Sequence, residues 1–201
     1  MAPGVNSTPE QRAGLPIMHF ADQAELERWL GEQPADHPGI WLKLAKKGAG
    51  VASINLAEAV DSGLCFGWID GLLNRYDERF YLIRYMPRRP RSKWSQVNAE
   101  RAEQLLAEGR VRPVGLKQIE AAQADGRWDM AYPPASRIEV PDDLAAALAA
   151  NPAAATFFAS LTRANRYAIL YRLHDVRDPA KREGAIAKWV AMLERGETVH
   201  D

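Results

Sequence analysis

RFYLIRYM, residues Arg79 to Met86, decides the fold class. The stretch is dense in aromatic and branched side chains, with Phe80, Leu82, Arg84 and Met86 alternating against Tyr81, Ile83 and Tyr85. A two-residue period of this kind belongs to a strand, whose side chains point to opposite faces in turn. Pro87 and Pro90 end it, since proline has no N–H to give a ladder. Upstream, GIWLKLAKK (Gly39 to Lys47) alternates as well, Ile40, Leu42 and Leu44 against Trp41, Lys43 and Ala45. It predicts a half-buried strand closed by Gly48 and Gly50. Between the two, LCFGWIDG (Leu64 to Gly71) reads as a short strand after a stop at Gly63. Phe66, Trp68 and Asp70 would share one of its faces, Gly67 and Ile69 the other.

Helices flank these strands. Asp22 with Glu25 three residues on, and Asn55 with Glu58, are capping boxes: each side chain accepts from the other residue's amide. The first opens a helix carrying Leu26, Trp29 and Leu30; the second carries Leu56, Ala59 and Val60. Further helices are predicted from Ser95 or Asn98 to Gly109, and from Pro113 to Gly126. Beyond Pro141 the pattern is wholly helical, with starts at Asp142 or Asp143, at Asn151-Pro152 and at Asp178-Pro179, and a helix holding Tyr167, Leu170, Tyr171 and Leu173. The expected fold class is α+β: a small N-terminal, mostly antiparallel sheet with helices, then an all-helical C-terminal part. The expected organisation is a disordered tail over 1–16, an α+β domain over 17–131, a proline-rich linker over 132–141 and a helical part over 142–197.

Composition sets outer limits. The chain has 201 residues, 47% hydrophobic, with 26 Lys+Arg against 26 Asp+Glu. That balance suits a globular chain with a core of its own rather than a disordered one. A single cysteine, Cys65, has no internal disulfide partner, as is usual in a reducing compartment. No run reaches the roughly 18 apolar residues a membrane span needs, and no basic leader precedes an apolar stretch. A cytoplasmic location is therefore expected, with no membrane span.

The zero net charge hides one asymmetry. From Arg84 to Arg101 there are six basic residues and one acidic one, Glu100. Arg88, Arg89, Arg91 and Lys93 stand among Ser92, Trp94, Ser95 and Asn98, where a new helix begins. Forked guanidinium donors, hydroxyls and a helix N-terminus together suit an anion. A solvated basic turn has the same composition. Nucleic acid is a poor fit, because the sequence pI is ≈ 6.9 and duplex-binding domains are commonly basic.

Catalytic equipment is sparse. His19, His37, His174 and His200 show no metal-ligand spacing, and neither a phosphate loop nor a dinucleotide fingerprint occurs. No cofactor and no metal are expected. Cys65, flanked by Leu64 and Phe66, reads as a buried thiol. Asp70, beside Trp68 and before Gly71, is the one candidate catalytic group, a general base if desolvated; an Asp-Gly turn would look the same.

Taken in order, GIWLKLAKKG (39–48), GLCFGWIDG (63–71), MPRRPRSKWSQVN (86–98), EGRVRPVG (108–115), GRWDMAY (126–132) and PDDLAAALAANP (141–152) resemble the YdeI/OmpD-associated (OmdA-like, bacteriocin-protection) family over about residues 17–195. Members carry a motif like AKKPETRAKRI near the C-terminus. Here VRDPAKREGAI (176–186) keeps Arg177, Pro179 and Arg182 but has Lys181 at the threonine and Ala185 at the second arginine. The resemblance implies a link to survival against antimicrobial peptides or bacteriocins, with no enzymatic mechanism attached. The expected function is a non-enzymatic cytoplasmic protein binding an anionic small molecule or acidic protein partner. Its site would comprise Lys46, Lys47, Trp68, Asp70, Arg88, Arg89, Ser92, Trp94, Ser95 and Asn98. The alternatives are a small enzyme using Asp70 as base in an Arg/Lys-lined pocket, and a nucleic-acid-binding adaptor.

Overall fold

The computed structural model describes residues 10–200. They fall into two compact units: the chain up to Trp94 with Asn98–Met130, and Ser95–Val97 with the chain from Ala131 onward.

The first unit is built on a five-stranded sheet. Strands β1 (Gln11–Arg12) and β2 (Leu15–His19) form a hairpin, followed by helix α1 (Gln23–Gly31) and β3 (Ile40–Ala45). Helix α2 (Leu56–Phe66) leads into β4 (Trp68–Arg75) and β5 (Phe80–Pro87); α3 (Gln96–Ala107) and α4 (Pro113–Ala124) follow. The spatial order is β1-β2-β3-β5-β4. The sheet is mixed rather than mostly antiparallel, because β2 runs parallel to β3. A parallel pair needs a crossover, and α1 supplies it. Part of the stretch expected as a tail is therefore ordered: residues 11–12 and 15–16 are strand. Residues 1–9 of that expectation lie outside the described residues.

Both N-caps form, but only the Asn55–Glu58 pair closes as a reciprocal box, because Glu25 reaches the amide before its cap. Asp22 accepts from the Glu25 amide at 2.8 Å, and Glu25 accepts from the Ala21 amide. Asn55 and Glu58 exchange theirs at 3.0 and 2.8 Å. Helix α2, however, does not stop at Gly63. It continues through Leu64, Cys65 and Phe66, all buried, and ends at Gly67, which adopts the left-handed φ of 73°. A side chain at Gly67 would strain that turn. The segment 64–67 is thus helix and cap rather than strand, and β4 begins only at Trp68.

Strand β3 is more buried than its alternation predicts. Ile40, Leu42 and Leu44 are in the core, but Trp41 is buried too. Its indole N–H donates to the Arg12 carbonyl at 2.9 Å, so the N-terminal hairpin covers the second face. On the first face Tyr85 is fully buried and its hydroxyl donates to the Ala59 carbonyl at 2.8 Å, joining β5 to α2. Helix α4 approaches α2 at Gly115, where an added Cβ would lie 2.3 Å from the Cys65 carbonyl oxygen. Strand β4 forms one edge of the sheet, with a register shift between Asp70 and Leu73 that breaks the ladder there.

The second unit is helical: α5 (Asp142–Ala149), α6 (Pro152–Ser160), α7 (Arg163–His174) and α8 (Pro179–Glu194). Leu144, Leu148, Phe158, Ile169, Leu170, Leu173, Ile186 and Leu193 make its core. The proline-rich stretch 132–141 packs within this unit: Tyr132 bridges Ser95, and the Pro133 carbonyl accepts from the Tyr167 hydroxyl at 3.3 Å. Arg182 donates to both carboxylate oxygens of Asp143 and to the carbonyls of Leu173 and Val176, fixing the turn between α7 and α8. Buried Asn165 accepts from the amides of Val199 and His200, which holds the chain end against the start of α7. Among the described residues, no helix is long and apolar enough to cross a membrane.

Candidate functional site

The sheet register separates the expected site into parts. Strands β3 and β5 are antiparallel, Ile40 opposite Tyr85 and Ala45 opposite Phe80. Lys46 and Lys47 therefore leave the sheet at one end, and Arg88 and Arg89 at the other. Eight residues of β5 (Phe80–Pro87) lie between, about 25 Å of strand. Lys46 donates to the Asp77 carbonyl at 2.7 Å, and Lys47 is exposed. The two lysines do not join the arginines.

Trp68, Asp70, Arg88 and Asn98 do come together. They line one crevice with Val60, Gly63, Leu64 and Ile69. That crevice is too small to admit a water molecule, and Asp70 stands half-buried in its lining. Arg88 is only 5% exposed. Its guanidinium lies 3.7 Å from the Trp94 ring centroid and donates to the Lys93 carbonyl, while its amide donates to the Gly67 carbonyl at 2.8 Å. Trp94 is itself buried against Trp128, with ring centroids 4.8 Å apart. Cation–π stacking in a desolvated setting contributes about 2 kcal/mol, which makes Arg88 a packing residue of the basic loop. Ser92 shapes the same loop: its hydroxyl accepts from the Arg89 amide at 3.0 Å, and its carbonyl accepts from Arg127. Arg89 is exposed. Ser95 groups with the second unit.

His37 is the residue that the sequence reading passed over. Its ring sits 5.5 Å from both Trp29 and Trp68, and Trp68 lies 5.4 Å from Tyr85, forming an aromatic cluster. Nδ1 of His37 accepts from the Gly39 amide at 2.9 Å, which leaves the proton of the neutral ring on Nε2. Burial first, and the Arg84 guanidinium second, hold its pKa below the ordinary histidine value. Arg84 is in turn fixed by the carbonyls of Pro38 and Ile40. A hollow of about 370 Å³ opens here, lined by Asp36, His37, Pro38, Arg88, Arg89 and Pro90 among others. The signal in the sequence was the pair His37-Pro38 ahead of Gly39, but nothing in spacing joins it to residues fifty positions away.

Cys65 is buried, and burial pushes its thiol up to about 11. A thiol of that kind is no nucleophile at neutral pH. Among the described residues, no group of His, Cys, Asp or Glu is arranged to hold a metal ion.

Fold and site define a two-unit α+β protein in which a basic loop borders an aromatic cluster. Residues 18–118 match the domain of unknown function DUF8412, and residues 137–196 match the family described as Bacteriocin-protection, YdeI or OmpD-Associated. The chain belongs to the DUF8412 family, whose match spans half of it, and its C-terminal span is similar to the YdeI/OmpD-associated family. The latter match thus includes VRDPAKREGAI, where the chain departs from the motif, whereas CFGWIDG and PRRPRSKWSQVN fall under the other domain. No curated protein matches the chain, and no solved structure does.

Proposed function

We propose that this chain is a non-enzymatic cytoplasmic binding protein whose first unit takes an anionic small molecule, or an acidic group of a partner, in the hollow beside His37. The supporting observation is the division of labour in the basic loop. Arg88 is buried against Trp94 and stiffens the loop, while Arg89 stands exposed at the mouth of the same hollow. A neutral His37 contributes an N–H donor, and Asp36 offers an acceptor for a hydroxyl of the ligand. Asp70 keeps no catalytic role in this reading. The protective role named by the YdeI/OmpD-associated family would then run through recognition of an anion rather than capture of a positively charged peptide, which a basic loop repels.

Thermal unfolding in inorganic phosphate and in citrate tests this. A ligand at a hundred times its Kd stabilises by about 2.7 kcal/mol, so the wild-type Tm rises with the logarithm of concentration once that exceeds Kd. Arg89→Glu abolishes the rise while leaving the ligand-free Tm nearly unchanged. A rise that survives Arg89→Glu contradicts the proposal.

A further inference from the structure

Two hollows of the second unit adjoin, and their linings share a chemistry. One, of about 720 Å³, is lined by Arg137, His174, Arg177 and Arg182. The other, of about 370 Å³, is lined by Arg163, Arg166 and Tyr167. Ile138 and Leu170 line both and form an apolar saddle between them. Arg163 and Arg177 are exposed, whereas Arg182 is committed to Asp143. The Nη2 of Arg166 donates to the Ala159 carbonyl, and its buried Nε has no hydrogen-bond partner. Two carboxylates, Glu139 and Asp142, also line the larger hollow.

We propose that this double hollow binds an extended acidic polypeptide segment. Three features of the lining select that occupant. Cationic side chains stand at both ends, so the ligand carries negative charge at two places. Helix α7 sets the scale of their separation: it rises about 16 Å at 1.5 Å per residue from Arg163 to its last residue, and Arg177 follows three residues on. An extended chain covers that in about five residues at 3.3 Å each, so the two acidic side chains lie about five positions apart. Between them one apolar side chain meets Ile138 and Leu170. Glu139 and Asp142 then have a use, as acceptors for backbone N–H groups of the segment. A simple inorganic anion is too short to reach both ends, and an aliphatic diacid has no N–H to offer.

The test is fluorescence anisotropy on the full chain at low salt with the labelled peptide Glu-Ser-Leu-Ser-Ser-Glu. Saturable binding is expected, weakening as salt screens the charges. The double variant Arg163→Glu, Arg177→Glu should weaken it about tenfold or more. A peptide with lysine at both ends should not bind, and unlabelled decanedioate should not compete. If the double reversal fails to fold, Arg163→Gln with Arg177→Gln removes the charges without adding new ones and carries the same comparison. Absence of saturable binding, equal binding by a folded double variant, or competition by decanedioate as strong as by the peptide overturns the proposal. The phosphate response of the first unit depends on Arg89 and is read in parallel, so either result can fail without the other.

Discussion

Arginine is used differently in the two units. In the first, Arg84 is held by two carbonyls, Arg88 lies under Trp94, and Arg101 makes bonds of 2.8 and 2.6 Å to the two oxygens of Asp61. Arg110 bridges Glu27 and Asp61 in the same network. Only part of the basic stretch, Arg89 foremost, is left to face a ligand. In the second unit Arg182 has the structural task, and Arg163 and Arg177 line open hollows. A run of basic residues in a sequence therefore does not mark a binding surface by itself. What decides is whether carbonyls, carboxylates and rings already engage the guanidinium groups.

The strongest way to break this contrast is to loosen the first unit's packing. Gly115→Ala places a methyl against the Cys65 carbonyl, with backbone on both sides, and should cost about 1–3 kcal/mol. Amide exchange should then quicken in α2 and α4; an unchanged melting temperature would show that this contact is loose. The corresponding change in the second unit is Arg182→Ala. Removing charge-assisted bonds to Asp143 and two carbonyls should cost about 2 kcal/mol, moderated by the exposure of Asp143. Arg182 also holds the Asp143 carboxyl below its ordinary value. The linked stability is present above the unfolded pKa and is lost as pH falls through the lowered folded one. Acid unfolding followed from pH 5 downward should lose that limb in Arg182→Ala.

Smaller effects sharpen the picture. With its thiol raised to about 11 from a reference of 9.0, native Cys65 carries about a hundredfold less thiolate than a free cysteine. It should resist a disulfide reagent at pH 8 and react promptly once unfolded; fast native reaction would contradict its burial. His37 has the smallest signature. Its folded pKa is lowered, so the unfolded chain binds the extra proton first and stability falls as pH drops below about 6.5. His37→Gln should remove that component of the pH dependence between pH 7 and 5, and denaturant melts would show it.

Much of the local structure was legible from the chain. The helix caps at Asp22 and Asn55 and the alternation of β3 and β5 depend on neighbours within a few residues. Pairing direction does not, which is why the parallel pairing of β2 with β3 through Ile17, Met18 and His19 was not foreseen. Gly63 misled for a related reason. Glycine suggests a helix end, but here it lies inside α2, against Tyr85 and Trp68, two residues supplied from β5 and β4. The candidate site was legible only in part: the spacing named Arg88 and Arg89 together, and only the fold shows one buried and the other open. His37 and the double hollow depend on residues brought together by tertiary packing.

The most direct test is an NMR titration of the isotope-labelled chain with phosphate, read at backbone amides. The account predicts saturable shifts at His37, Arg89 and Ser92, with a common midpoint, that vanish in Arg89→Glu. Shifts that persist in that variant, or an unresponsive loop from Pro87 to Trp94, would contradict it.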